Sequence, residues 1–253
     1  MLFRFKKKYQ KGKPQPKIEV FVRHAVYSSI SANKKRWPGF SKQACHENLL
    51  QTADKRVNFT FFLDVAHPGE HFIQDKAIKI KEGTEAGSFL RLLDHVEKLP
   101  LHPDTILYFL EDDYVHRPGW VDILLEGFSL DADYVTLYDH RDKYTSYPKL
   151  TSQIFSTTSC HWRTTPSTTN TYAMRFATLM QDIDLHRKFS EKRKVSADHD
   201  KFCALAKKGA TLISPIPGWS THVDPEHLSP CVNWEPFLKG DVNANTDASK
   251  NYS

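Results

Sequence analysis

Apolar side chains at Phe89, Leu92, Leu93 and Val96 recur at the i, i+3, i+4 and i+7 spacing of one helix face. Val121, Leu124, Leu125 and Phe128 repeat it. Thr84 is placed to cap the first of these helices, and Pro118 fits the first turn of the second. Ser41 caps a further helix running to about residue 53, with Cys45 and Leu49 on one face. Between these segments lie short β-branched and aromatic runs, at residues 18–23, 57–64, 77–80, 105–110 and 134–138, each read as a strand. Strands alternating with amphipathic helices predict an α/β fold with a mainly parallel central sheet covered on both faces. Right-handed crossovers then gather functional loops at the C-terminal ends of the strands.

Past residue 140 the pattern changes. Residues 141–171 are rich in Thr, Ser, Tyr and Pro and read as an irregular or hairpin region. Residues 175–189 and 198–208 read as helices, the second with Phe202, Leu205 and Ala206 inward and Gly209 as its stop. Residues 211–213 form a short strand, followed by a Pro/Gly/His loop. The domain boundaries follow: a basic arm at 1–17, one catalytic domain at 18–239 and a polar, disordered tail at 240–253.

Composition sharpens this. Of 253 residues, 40% are apolar and 26% charged, which excludes a disordered chain, a collagen and a coiled coil. No apolar run approaches the roughly 18 residues of a spanning helix. The net charge of +5 first points to nucleic acid. Its distribution removes that reading: residues 1–17 hold seven basic side chains and no acid, so the other 236 residues sum to −2. The arm reads as a solvated tail, with contact to an anionic membrane surface as the minority reading. A cytoplasmic, membrane-peripheral protein without a nucleic-acid partner is expected. Cys45, Cys160, Cys203 and Cys231 form no CxxC pair and read as free thiols.

Three groups carry chemistry. Glu111, Asp112 and Asp113 stand together at the end of a buried strand. Adjacent carboxylates repel, and a hard divalent cation such as Mg²⁺ or Mn²⁺ relieves this. A solvated acidic turn, or acids at a helix N-terminus, is the competing reading. Asp198-His199-Asp200 opens a helix, where the acids serve either as caps or as a base taking a proton from an attacking hydroxyl. His222, in Gly218-Trp219-Ser220-Thr221-His222-Val223-Asp224, gains interest only because an acidic site elsewhere needs further ligands. Trp162, Trp219 and Trp234 read as core or loop anchors rather than sugar-stacking surfaces.

Together these groups resemble the GT-A-fold, nucleotide-sugar-dependent glycosyltransferases. The phrase Phe109-Leu110-Glu111-Asp112-Asp113-Tyr114, followed by Pro118-Gly119-Trp120, is similar to that family's strand, metal turn and helix. It looks like the EDD form of the DxD motif found in enzymes of the N-acetylglucosaminyltransferase I type. The resemblance spans roughly residues 18–235 and implies a GT-A-like αβα sandwich. It implies Asp113 as ligand of Mn²⁺ or Mg²⁺, with Glu111 and Asp112 orienting ribose or donor sugar and His222 as a C-terminal metal ligand. It further implies Asp198 or Asp200 as the catalytic carboxylate, Asp64 as a nucleobase contact, and Arg23 and His24 in the nucleotide-facing turn. No acceptor-specificity motif is present.

The expected activity is metal-dependent transfer from a nucleoside-diphosphate sugar to a glycan, lipid-linked or protein acceptor. The alternatives are a nucleotidyltransferase, which the absence of a Gly-rich phosphate loop disfavours, and a non-catalytic carbohydrate-binding module on the same fold.

Overall fold

The computed structural model describes residues 17–32 and 34–241. All but the last residue of the basic arm, and residues 242–253 of the polar tail, lie outside the described residues. The first half of the chain runs β1 (Ile18–Ala25), α1 (Ser29–Ala32), α2 (Lys42–Thr52), β2 (Val57–Asp64), β3 (Ile78–Ile80), α3 (Glu85–Val96), β4 (Ile106–Glu111), β5 (Tyr114–His116) and α4 (Trp120–Ser129). The second half runs β6 (Tyr134–Val135), α5 (Asp142–Thr145), β7 (Ile154–Ser156), β8 (His161–Thr164), β9 (Tyr172–Arg175), α6 (Phe176–Lys188), α7 (Asp198–Lys207), β10 (Leu212–Ile216), β11 (Ser220–His222) and α8 (Glu235–Leu238).

Among the described residues nine strands form one sheet in the order β3-β2-β1-β4-β9-β6-β10-β8-β7. Seven run in one direction, while β9 and β8 run against them. Alternation along the strands supplies two buried faces. Ile18, Val20, Val22, Ile106, Tyr108 and Leu110 pack with Leu49 of α2 and Trp120, Val121, Leu124 and Phe128 of α4. Phe21, Leu107 and Phe109 face the other way, onto Phe89, Leu92, Leu93 and Val96 of α3, Leu179 of α6 and Phe202 and Leu205 of α7. The result is the expected α/β fold, an αβα sandwich about a mostly parallel sheet. Among the described residues no helix is long and apolar enough to cross a membrane.

Local signals placed the early elements well. Ser41 accepts from the Ala44 amide and Thr84 from the Gly87 amide, each as an N-cap. The four apolar positions of α3 are wholly buried. Pro118 instead precedes the cap of α4, which is Gly119 in the left-handed region at φ 81°. The strand expected over 134–138 keeps only two residues in the sheet. Beyond Val135 the chain swings out, so that the Leu137 carbonyl accepts from the amides of Trp219 and Ser220. β9 falls between the region expected to be irregular and the helix expected from residue 175, and only its neighbours β4 and β6 make it a strand. All four cysteines are free.

Gly127 shows how tightly α4 lies on the sheet. A Cβ there would sit 2.7 Å from Cη2 of the fully buried Trp162 and 2.9 Å from Cγ1 of Val135. Backing atoms this rigid cannot yield cheaply. Gly127→Ala is expected to cost about 1–3 kcal/mol despite alanine's better helix propensity. A urea unfolding midpoint unchanged from the parent would contradict this packing.

β5 and β11 form a separate antiparallel ribbon, pairing Ser220 with His116, Thr221 with Val115 and His222 with Tyr114. His116 is fully buried beside Trp120, its Nε2 2.9 Å from the Tyr108 hydroxyl. Burial lowers its pKa from 6.5 to about 3. The unfolded chain takes up this proton near pH 6.5 and the folded chain does not, so this contribution is lost as pH falls from about 6.5 toward 3. The His116 ring resonances are expected to stay untitrated from about pH 7 to 4 by NMR. A normal titration near 6.5 would show the ring is not sealed in the core.

Candidate functional site

Parallel register gathers the site. Arg23 of β1 lies opposite Glu111 of β4, and Ala25 lies opposite Asp64 of β2. Their C-terminal ends therefore open on one edge. The ribbon adds a distant residue: because β5 starts directly after Asp113, the pairing of His222 with Tyr114 brings His222 beside that aspartate. The Val223 amide donates to the Asp113 carbonyl at 2.9 Å and fixes the approach.

Asp113 Oδ2 is 3.0 Å from His222 Nε2 and 3.0 Å from the Arg36 guanidinium. Burial alone would raise the Asp113 pKa, but His222 and Arg36 overcome it and hold the carboxyl below its usual range. Asp112 turns the other way. Its Oδ2 accepts from the Ala25 amide and lies 2.7 Å from Lys42 Nζ, and burial raises its pKa against the pull of Lys42. Glu111 lies 3.4 Å from an Arg23 nitrogen. Burial pushes its pKa up to about 8, opposed by Arg23 and assisted by Glu85, Asp113 and Asp198. The three acids thus occupy three different electrostatic settings.

Asp198 joins the same network from α7. The fully buried Lys201 donates to Asp198 Oδ1 at 3.1 Å and to Asn170, and its ammonium sits among the rings of Phe89, Tyr172 and Phe202. Asn170 in turn donates to Glu85 Oε1 at 2.7 Å, and Arg23 donates to the same oxygen at 2.8 Å. Asp198 is therefore not the cap of its helix; Ala197 occupies that position without a side-chain bond. Burial raises the Asp198 pKa although Lys201 counters it.

The structure does not bring every expected residue in. Asp200 is exposed and makes no hydrogen bond or ion pair among the described residues. Asp64 is buried, but its carboxylate accepts from the amides of Ala66, Glu82 and Gly83 at 3.0, 3.2 and 2.7 Å. It closes the loop after β2 and leaves a nucleobase little to bond. Arg23 is enclosed between Glu85 and Glu111. His24 is buried, with neither ring nitrogen hydrogen-bonded and Nδ1 3.8 Å from Asp112 Oδ2. Trp162 and Trp234 are core residues, whereas Trp219 lies under the Arg117 guanidinium at 3.9 Å.

Residues that the sequence reading passed over complete the site: Arg36, Lys42, Glu85, Asn170 and Lys201. The i, i+3 spacing of Asp198 and Lys201 was a visible pairing signal. Nothing local marked the others, which act through burial and partners far off in the chain.

The residues at Asp113 fit a divalent cation. A carboxylate oxygen and an imidazole nitrogen 3.0 Å apart form a mixed donor pair, which suits Mn²⁺ better than Mg²⁺. Arg36 now supplies the positive charge there, and it must turn aside for an ion to reach Asp113.

No protein-family model matches the chain, and no curated protein matches its sequence. Several solved structures are distantly similar. A CMP:2-keto-3-deoxy-manno-octonic acid synthetase complexed with CTP is 19% identical over 80% of this chain and 92% of its own, at a TM-score of 0.47. The inositol-1-phosphate CTP transferase from T. maritima is 11% identical over 92% and 98%, also at 0.47. A glycosyltransferase of Streptococcus pneumoniae is 9% identical over 79% of this chain and 44% of its own, at 0.36. TM-scores this low carry no argument about chemistry, and the fold class stands on the strand order and layers themselves.

Proposed function

We propose that this chain is a divalent-metal-dependent transferase acting on a nucleotide-activated substrate, and that it moves a sugar from a nucleoside-diphosphate sugar to an acceptor hydroxyl. The observation that carries this reading is the meeting of Asp113 and His222 at the C-terminal edge of the sheet, across 109 residues of chain. Asp113 and His222 would hold Mn²⁺, which when bound supplies Lewis-acid stabilisation of the leaving diphosphate. Arg36 and Lys42, freed from their carboxylates, reach phosphate oxygens as charge-assisted donors. Arg23 keeps Glu111 in place for a sugar or ribose hydroxyl. Asp198, with its pKa raised by burial, suits the role of proton acceptor for the attacking hydroxyl, and Lys201 orients it. Asp200 has no part in this scheme.

Nucleotidyl transfer is the second reading. It is favoured by the cations Arg36 and Lys42 beside the acids, which suit the larger charge of a triphosphate. Against it, no glycine lies between residues 23 and 38 to form a phosphate-cradling loop after β1.

A thermal-shift screen of nucleoside di- and triphosphates and nucleotide sugars, with and without Mn²⁺, tests both readings, since ligand at 100 times its Kd stabilises by about 2.7 kcal/mol. Chromatography of reaction mixtures then separates them: a released nucleoside diphosphate supports sugar transfer, and inorganic diphosphate supports nucleotidyl transfer. The absence of any Mn²⁺-dependent shift with any nucleotide would sink both.

A further inference from the structure

The acids at the end of β4 face a second set of donors that the transferase reading leaves unused. His24 ends β1, His46 lies in α2, and His71 lies in the loop after β2. The His24 ring centroid is 5.5 Å from that of His46 and 5.4 Å from that of His71. One ligand atom from each of His24, His71 and Asp112 falls within 4.8 Å of the other two. Buried imidazole nitrogens ordinarily find a partner, because an unsatisfied one costs about 1–3 kcal/mol. Here four make no hydrogen bond: both nitrogens of His24, Nδ1 of His46 and Nε2 of His71, with His24 Nδ1 3.8 Å from Asp112 Oδ2. Burial, with the neighbouring imidazoles and Lys42, lowers the His24 and His71 pKa values, the latter to about 4, so these rings are neutral with lone pairs to give.

We propose that His24, His71 and Asp112, with His46 beside them, form a binding site for a borderline divalent transition ion, Zn²⁺ in the first instance. Two neutral imidazoles and a carboxylate are a zinc-type donor set, and the site stands whether or not a nucleotide binds nearby. It differs in chemistry from the Asp113–His222 pair, whose ion is the harder Mn²⁺. Lys42 now fills the position of the cation. Its ammonium is 2.7 Å from Asp112 Oδ2 and 3.1 Å from the Ala25 carbonyl. It lies at the first residue of α2 on a partly exposed stem and can swing into solvent as the ion enters. The ion would fasten the loop carrying His71 to the ends of β1 and β4, beside the Asp113 edge.

A second cluster among the described residues, His222, Asp224 and His227, is also able to take zinc, so the test removes it first. The full chain bearing His222→Ala is stripped with a chelator and titrated with Zn²⁺ by calorimetry. One equivalent is expected to bind. Loss of an outer-shell partner alone typically costs 10–100-fold in metal affinity, so adding His71→Ala, which removes a ligand, is expected to weaken binding by at least about 10-fold. Circular dichroism confirms that each variant is folded, and half-buried His71 is chosen over His24 because its replacement leaves the core intact. Co²⁺ substituted at this site gives visible bands, which are expected to vanish with His71→Ala. Zinc bound equally tightly by the double variant, or not bound by folded His222→Ala, would overturn the site. Neither result bears on Mn²⁺ at Asp113, so the two assignments fail separately.

Discussion

Asp113→Asn is expected to abolish the Mn²⁺-dependent stabilisation by nucleotides that the proposed function requires, and to lower turnover by about 10²–10³-fold, the scale on which losing one electrostatic partner of a reacting charge is felt. Asparagine keeps the shape of the side chain but not its charge. His222 and Arg36, each 3.0 Å from Asp113 Oδ2, then face a neutral amide. The stability cost is bounded because Arg36 keeps the Val223 carbonyl and the Ser31 hydroxyl as acceptors. About 1–3 kcal/mol is expected, or roughly 2–4 °C of melting temperature for each kcal/mol. The two readouts separate the roles: a modest loss of melting temperature with complete loss of the Mn²⁺ effect marks a metal ligand. A variant that melts lower yet keeps its Mn²⁺-dependent nucleotide shift would reduce Asp113 to a partner of Arg36.

The larger stability effect is expected at Glu85, which no functional motif singled out. One carboxylate accepts from Arg23, Asn170 and the Ser196 amide, at 2.8, 2.7 and 2.7 Å. It thereby joins the starts of α3 and α7 to β1. Removing one partner of a buried charge network costs about 3–5 kcal/mol. Glu85 keeps 19% side-chain exposure, which places Glu85→Gln at the low end, near 3 kcal/mol. A fall in melting temperature of about 6–12 °C follows. Burial would raise the Glu85 pKa, but Arg23, the Ser196 amide and Asn170 hold it below the ordinary value. Its contribution is therefore present above the normal carboxylate pKa and is lost as pH falls through the depressed one. The parent is expected to lose stability on acidification more steeply than Glu85→Gln does. In an Arg23→Met background the same substitution is expected to cost less, because the guanidinium it would strand is gone. Equal costs in both backgrounds would show that Arg23 and Glu85 are not energetically coupled.

The acids divide along a line the sequence did not draw. Glu111, Asp112 and Asp113 looked like one metal-binding turn, since adjacent carboxylates share a charge problem. Each is answered differently in the fold, by Arg23, by Lys42 and by His222 with Arg36. Asp198 and Asp200 looked interchangeable, two residues apart in one helical turn. Helix geometry points them some 200° apart, so Asp198 enters the buried network while Asp200 meets solvent. Asp64 sat where a nucleobase contact was expected, yet three backbone amides use its carboxylate.

Local chemistry alone determined the early elements. The Ser41 and Thr84 caps, the four-residue stripe of α3 and the β-branched strands set β1, α2, β2, α3, β4 and α4 to within a few residues, because each signal is satisfied within a few positions of itself, whereas α1 and β5 carry no such signal. It also determined that three acids would end a buried strand, and that the helix from Asp198 would begin with carboxylates. The tertiary structure decided the rest. β9 is a strand only because β4 and β6 flank it, and His222 meets Asp113 only through the pairing of β11 with β5. Whether an acid is a ligand, a clamp or a solvated side chain depends on burial and on partners up to 109 residues away. Those are properties of packing, and no window along the chain contains them.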